Sequence, residues 1–219
     1  MKKANGKVKT KTCILDFNES TDVSHYQHLS DELKDLDISI IVNNAGIMEF
    51  GSFLDFQIED IKKMTELNIH GLSLLTKIFA DRFAKRIQRS AIVNVASGVG
   101  YIAAPLISHY GATKAYVRSF TKAVSYELSD KIDVLCFSPG YVKTELSGYA
   151  NGFDACEPDL CGHAIFRDLG YEIENQPTIV HEVQAFTFKT MDYLWEYGMM
   201  GVICRILKIE YKRIYKKDA

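Results

Sequence analysis

Three side chains of this sequence have the types and spacing needed to move a proton: Ser97, Tyr110 and Lys114. Tyr110 and Lys114 are four residues apart, so on a helix they share one face and reach the same atom. A nearby cation favours the phenolate, which predicts a lowered pKa for Tyr110 and a general acid-base near neutral pH. Ser97 supplies a hydroxyl group to a carbonyl or carbinol oxygen held against that phenol. Such a site moves a proton while a hydride moves elsewhere, and hydride transfer needs a cofactor.

The elements that position these residues alternate between strands and helices. Short apolar runs predict four strands, at residues 12–17, 38–43, 91–96 and 132–138. Helical periodicity predicts the helices between them, at residues 22–36, 58–84 and 108–129. This alternation predicts βαβ units and a doubly wound parallel α/β sheet. Right-handed crossovers bring the carboxyl ends of all strands to one edge, where ligands bind.

The chain is less regular after residue 144. Residues 145–159 predict a mobile substrate loop, and helices are predicted at residues 158–168 and 183–211. The last helix carries aromatic and aliphatic side chains between basic ones. Two interpretations remain open: the helix packs against the sheet domain or a partner protomer, or it lies on a membrane surface.

Charge and cysteine content exclude several classes of protein. The net charge of −2 predicts no nucleic-acid partner, although both ends of the chain are basic. The five cysteines are odd in number and lack CxxC spacing, which favours a reducing compartment over a disulfide framework. Cys156, Cys161 and His163 do not have a zinc-binding spacing, so no metal site is predicted. We expect no signal peptide and no membrane-spanning segment, because no apolar run is long enough.

Further polar segments accompany Ser97, Tyr110 and Lys114 in a fixed order. Residues 43–46 read Asn-Asn-Ala-Gly after an apolar run, Asn68 lies in a predicted helix, and residues 139–144 follow the last strand. In this order the chain resembles the short-chain dehydrogenase/reductase family, from about residue 10 to its carboxyl end. The resemblance implies a Rossmann-like sheet and a nicotinamide cofactor.

The resemblance also implies a role for each of these residues. Tyr110 is the expected acid-base, and Lys114 tunes it and holds the nicotinamide ribose. Ser97 orients the substrate oxygen, and Asn68 holds a water in the proton relay. Asp16 approaches the adenine. The other cofactor-binding residues lie on the adenosine side or cover the nicotinamide: Asn43, Ala45, Gly46, Pro139, Gly140, Val142 and Thr144.

Within the family, the chain looks most similar to the branch of 17-beta-hydroxysteroid dehydrogenases and very-long-chain 3-oxoacyl-CoA reductases. This likeness rests on residues 97–100, 105–114 and 168–171 and on His181. It implies reduction of a ketone on a lipid-like substrate with NADPH, NAD being the alternative. The lysines at positions 216 and 217 resemble a dilysine retrieval signal, which predicts the surface of the endoplasmic reticulum membrane, with the cytoplasm as the alternative.

The chain departs from the family pattern at its amino end. Gly6 is the only glycine before Gly46, so the glycine-rich phosphate turn and the first two family strands are absent. We therefore expect an incomplete Rossmann-type domain at residues 1–180, followed by a helix and basic tail at 181–219.

Without those strands, an edge of the sheet is open. Either the strand at residues 12–17 pairs with the strand at 38–43, or a partner such as a second copy covers the edge, or the sequence is a piece of a longer protein. We favour the last. The functional alternatives are a non-catalytic subunit or scaffold and a hydroxysteroid dehydrogenase.

Overall fold

The computed structural model describes residues 9–17, 22–150, 152–194, 205–206 and 209. These residues form a four-stranded parallel sheet in the order β1-β2-β3-β4. The strands are β1 (Ile40–Asn43), β2 (Ser90–Val95), β3 (Ile132–Phe137) and β4 (Glu174–Asn175). The register places Ile41 beside Ile92 and Ile92 beside Val134. The predicted parallel sheet is confirmed.

Helices separate the strands. They are α1 (Val23–Glu32), α2 (Ile58–Thr65), α3 (Leu72–Phe83), α4 (Ser108–Leu128), α5 (Pro158–Asp168) and α6 (Ile179–Leu194). A π-helical stretch, Glu66–Gly71, joins α2 to α3, so the helix predicted at residues 58–84 is unbroken along the chain but changes its hydrogen-bond pattern. A 3₁₀ turn, Gly98–Tyr101, follows β2.

Both faces of the central strands are buried. On β2, Ile92 packs with Phe79 and Phe83 of α3, while its neighbour Val93 packs with Ile165 of α5 on the opposite face. On β3, Val134 and Leu135 alternate in the same way. Because successive side chains of a strand point to opposite faces, helices on both sides explain the continuous apolar runs. The expected doubly wound arrangement is confirmed.

The prediction of a strand at residues 12–17 is wrong. Residues 9–16 have no regular structure, and they lie along α1, where Lys11 Nζ donates to the Glu32 carbonyl over 2.9 Å. The Phe17 ring meets the Tyr26 ring edge-on, with centroids 6.0 Å apart. The apolar run therefore anchors the segment to a helix instead of to the sheet. Asp16 is exposed in this segment and does not end a strand.

Strand β1 forms one edge of the sheet in the described residues. Its known neighbour is β2, and Ile40 and Val42 on one of its faces are 41% and 45% exposed. The alternative in which residues 12–17 pair with this strand is excluded, because those residues form no strand. The opposite edge holds β4, which the sequence did not predict, because two residues are too few to give an apolar pattern.

The helix predicted at residues 158–168 is confirmed as α5, and α6 begins at Ile179, earlier than predicted. His181 and Ala185 of α6 are buried, whereas Val183 and Phe186 are exposed. Most of the predicted helical region beyond Leu194 lies outside the described residues. Among the residues described, no helix is both long and apolar enough to cross a membrane.

Candidate active site

The carboxyl end of β2 leads directly into the turn that carries Ser97. Ser97 caps the 3₁₀ turn, with its hydroxyl accepting from Val99 N–H over 3.4 Å. Gly100 lies so close to α4 that an added Cβ would sit 2.9 Å from the carbonyl of Lys114. The missing side chain at this position lets the turn approach the helix, and this brings Ser97 to the face of α4 that carries Tyr110 and Lys114.

Tyr110 and Lys114 lie one turn apart on the buried face of α4. They are 7% and 4% exposed, and Lys114 Nζ is 5.7 Å from the centre of the Tyr110 ring. The ammonium group donates to the Val95 carbonyl at the end of β2 over 2.9 Å. The predicted spatial grouping of Tyr110, Lys114 and the strand end is present.

The expected lowering of the Tyr110 pKa is not observed. Burial raises the pKa of Tyr110 to about 12, and the hydrogen bond with the Ser97 side chain opposes this only in part. Burial also lowers the pKa of Lys114 to about 8. Desolvation is thus the main cause of both shifts, and Tyr110 is a protonated phenol, not a phenolate, at neutral pH.

Asn68 holds the loop that follows β1. Its side chain is 1% exposed, accepts from Ile47 N–H over 3.0 Å and donates to the Ile47 carbonyl over 2.9 Å. Its amide also donates to Thr113 on α4. A Cβ added to Gly46 would lie 3.3 Å from Asn68 Oδ1 and 3.4 Å from Lys114 Nζ. This arrangement places the loop with Ala45 and Gly46 beside Lys114, and both Asn68 amide hydrogens are engaged by protein atoms.

Asn43 belongs to a partly buried polar network whose other members were not predicted from the sequence. Its side chain donates to Asn94 Oδ1 over 2.8 Å and to Thr76 over 3.1 Å, and Asn94 donates to Thr121. This network fixes β1, β2, α3 and α4 together behind the site. The sequence did contain a sign of this network, because Asn94 is a polar residue inside the apolar run of β2.

The segment after β3 forms the other wall. Gly98 N–H donates to the Pro139 carbonyl over 2.8 Å, so residues 139–140 lie beside the Ser97 turn. A Cβ on Gly140 would sit 2.6 Å from the His181 ring, which shows how closely α6 covers this point. Val142 pairs with Cys156 in an isolated bridge, and Thr144 begins a 3₁₀ turn.

Tyr101 anchors the far end of the Ser97 turn. Its hydroxyl donates to Glu174 of β4 over 2.7 Å and accepts from Gln176 over 2.7 Å. Burial would raise the pKa of Glu174, but hydrogen bonds from Arg118 and Tyr101 hold it below its ordinary value. Sequence reasoning missed this link because its members are far apart in the chain.

An apolar wall surrounds Tyr110. Buried Met64, Ala104 and Ile107 pack with it, and half-buried aliphatic and aromatic side chains complete the cluster: Ile47, Met48, Phe50, Val99, Ile102 and Leu106. A polar proton donor set among apolar side chains is suited to a substrate with an apolar body and one reactive oxygen.

The site fits one end of a dinucleotide better than the other. Lys114 Nζ offers a polar contact for a nicotinamide ribose, and the backbone at Gly46 lies close beside it. In the described part of the chain, no glycine precedes Gly46, so no glycine-rich cradle for a pyrophosphate is present there. Asp16, which was predicted to approach the adenine from a strand end, lies in an irregular segment instead.

Comparison with known proteins agrees with this geometry. The family model for short chain dehydrogenase matches residues 2–153, and the chain belongs to this family. A very-long-chain 3-oxoacyl-CoA reductase of Anas platyrhynchos is 29% identical over 84% of this chain and 60% of its own length. A human protein called inactive hydroxysteroid dehydrogenase-like protein 1 is 27% identical over 93% of this chain and 63% of its own length. The chain therefore spans about three fifths of these relatives.

Solved structures show the same fold. A short-chain dehydrogenase from Sphingobium yanoikuyae in complex with NADPH is 27% identical, with a TM-score of 0.67, over 83% of this chain and 74% of that one. The predicted family and its fold are thereby confirmed.

Proposed function

We propose that this protein reduces a ketone on a lipid-like substrate with a nicotinamide cofactor. The observation that carries the proposal is the assembly of Ser97, Tyr110 and Lys114 at the carboxyl edge of a parallel sheet, where α/β proteins bind ligands. The cofactor supplies the hydride to the carbonyl carbon.

Tyr110 donates the proton that the carbonyl oxygen takes up. Because the pKa of Tyr110 is about 12, the phenol stays protonated at neutral pH and is ready to donate. The Ser97 hydroxyl orients the substrate oxygen and donates a hydrogen bond to it. Lys114, positively charged below its pKa of about 8, stabilises the phenolate that remains after transfer.

We propose NADPH as the cofactor, with NADH as the alternative. Support comes from the NADPH complex of the Sphingobium yanoikuyae relative. Lys114 would hold the nicotinamide ribose. Three residues would lie on the adenosine side: Asn43, Ala45 and Gly46. The segment after β3 would cover the nicotinamide with Pro139, Gly140, Val142 and Thr144.

Asn68 would act in the proton relay through the loop that it positions. Asp16 has no strand end from which to approach an adenine, so we assign it no role.

The substrate class rests on two supports. The cluster of apolar side chains around Tyr110 suits an acyl chain or a steroid. The relative from Anas platyrhynchos is a very-long-chain 3-oxoacyl-CoA reductase, which favours a 3-oxoacyl thioester over a steroid ketone. A hydroxysteroid dehydrogenase is the alternative within the same chemistry.

A second candidate function is that of a non-catalytic subunit or scaffold. A relative that matches 93% of the chain is called inactive, and the β1 edge has one strand neighbour in the described residues. On this view the sheet edge holds a partner and the site is vestigial.

A fluorescence titration separates the two candidates. NADPH, and then NADH, is added to the folded protein, and the reductase predicts saturable binding at micromolar concentration. Lys114→Met removes the ribose contact and should weaken binding by about tenfold, whereas Lys62→Met, an exposed change on α2, should not. A folded chain that binds neither cofactor contradicts the enzymatic proposal and favours the scaffold.

We further propose that α6 and the basic tail contact an anionic membrane surface, which is consistent with the surface of the endoplasmic reticulum. Val183 and Phe186 are 59% and 70% exposed on α6, and the sequence after Leu207 is rich in lysine.

Co-sedimentation with phosphatidylcholine vesicles, with and without phosphatidylserine, tests the membrane proposal. We expect binding only when phosphatidylserine is present and weaker binding for Phe186→Asp. Ile87→Asp, at an exposed site before β2, is the control. Equal binding by all three proteins would contradict the role of α6.

A further inference from the structure

Two thiols lie in contact beside the segment that follows β3. Cys156 Sγ and Cys161 Sγ are 3.5 Å apart, and neither is in a disulfide. Cys156 lies two residues before α5 and is 6% exposed, whereas Cys161 lies in the first turn of α5 and is half-buried. The proposed reaction uses neither side chain.

We propose that Cys156 and Cys161 form a reversible intramolecular disulfide that fastens the segment at residues 141–143 to α5. A disulfide requires the sulfurs to be about 2.05 Å apart, so they need to approach by about 1.5 Å. Side-chain rotation and a small shift of the first turn of α5 supply a movement of this size. The two thiols are thus held close together before any oxidation takes place.

The reaction is thiol–disulfide exchange with a small-molecule disulfide. Cys161, the more exposed thiol, attacks first as the thiolate and displaces one small thiol, forming a mixed disulfide. The Cys156 thiolate then attacks the Cys161 sulfur and displaces the second small thiol. The protein gives up two electrons and two protons, and the small disulfide becomes two thiols.

Burial sets the rate of this exchange. It raises the pKa of Cys161 to about 12 and also raises the pKa of Cys156. Little thiolate is therefore present at neutral pH, and oxidation is slow there and faster as pH rises. The pair is stable as thiols in a reducing compartment and responds to prolonged exposure to an oxidant.

The main chain of Cys156 couples the disulfide to the neighbouring segment. Cys156 N–H donates to the Tyr141 carbonyl, and Lys143 N–H donates to the Cys156 carbonyl, each over 3.0 Å. Fixing Cys156 to α5 therefore restrains the backbone at residues 141–143. We expect slower hydrogen exchange at the amides of Lys143 and Cys156 in the oxidised protein.

The experiment equilibrates the whole protein in buffers of reduced and oxidised glutathione, then maps linked peptides by mass spectrometry. We expect a Cys156–Cys161 link in the wild type and in Cys13→Ser, and none in Cys161→Ser. The equilibrium constant for forming this link should be at least about tenfold higher in the folded protein than in urea, because the fold holds the sulfurs together.

Three results would overturn the proposal. One is a link from Cys156 or Cys161 to another cysteine. Another is glutathione adducts without a link, or a link no more favourable in the folded protein than in urea. The third is unchanged amide exchange at Lys143 in a fully linked sample, which would refute the coupling to residues 141–143. None of these readouts depends on cofactor binding or turnover.

Discussion

Tyr110 and Lys114 illustrate how burial reverses an argument based on charge alone. Their spacing predicted a lowered Tyr110 pKa, but the sequence does not state how deeply each group is buried. In the structure, desolvation raises the pKa of Tyr110 to about 12 and lowers that of Lys114 to about 8. A protonated Tyr110 agrees with the proton-donor role that we propose for it, and the charge of Lys114 becomes sensitive to mildly alkaline pH.

The depressed pKa of Lys114 predicts how stability depends on pH. Above a pKa of about 8 the folded protein loses the Lys114 proton, while the unfolded chain, with its ordinary lysine pKa, keeps it. The unfolded state therefore binds more protons, and the free energy of unfolding rises with pH. We expect the wild type to gain about 2 kcal/mol relative to Lys114→Met between about pH 8 and about pH 10.

Urea denaturation of both proteins across this range measures the difference. Tyr110 is present in both, so its own titration cancels. Lys62→Met, at an exposed lysine of α2, should follow the wild type. Parallel curves for the wild type and Lys114→Met would contradict a buried Lys114 with a lowered pKa.

At the scale of elements, the site depends on how closely the 3₁₀ turn after β2 approaches α4. Gly100 permits this contact, because any Cβ there would lie 2.9 Å from the Lys114 carbonyl. The three nearest atoms all belong to the backbone of α4, so no flexible side chain there can move aside. The position of Ser97 relative to Tyr110 is therefore set by a residue that has no side chain.

Gly100→Ala should separate these two elements. We expect a loss of about 1–3 kcal/mol in the free energy of unfolding, because the added methyl group overpacks the contact. Gly162→Ala is a matched control on α5, where an added Cβ meets nothing within 4 Å, and it should be neutral or slightly stabilising. Chemical denaturation of both variants provides the comparison, and a neutral Gly100→Ala would show that the contact is not tight.

Elements with long apolar patterns were predictable from the sequence. β2, β3, α4 and α5 lie within a residue or so of their predicted bounds, since their length and burial give a clear period. The conformation of residues 12–17 was not predictable in this way, because an apolar run of that length packs equally well against a helix. The hydrogen bonds of Asn68 to Ile47 are long-range contacts, which periodicity does not encode.

At the scale of the molecule, the order of polar segments along the chain was the most informative sequence feature. It identified the family, and the parallel sheet then brings residues 43–46, 97 and 139–140 to neighbouring strand ends. The roles of these residues and the division of the chain at residue 180 stay predictions. The hydrogen bonds from Tyr101 and Arg118 to Glu174 join β4, the Ser97 turn and α4. No pattern in the sequence predicts these contacts.

Transfer of deuterium from deuterated NADPH to a very-long-chain 3-oxoacyl-CoA, followed by mass spectrometry of the product, tests the central claim most directly. The proposal predicts a 3-hydroxyacyl-CoA that carries one deuterium with the wild type. Tyr110→Phe should lower the rate by about a thousandfold with little loss of stability, because only the proton donor is removed. If the wild type forms no deuterated product, or if Tyr110→Phe forms it at the wild-type rate, the assignment of this site to carbonyl reduction is wrong.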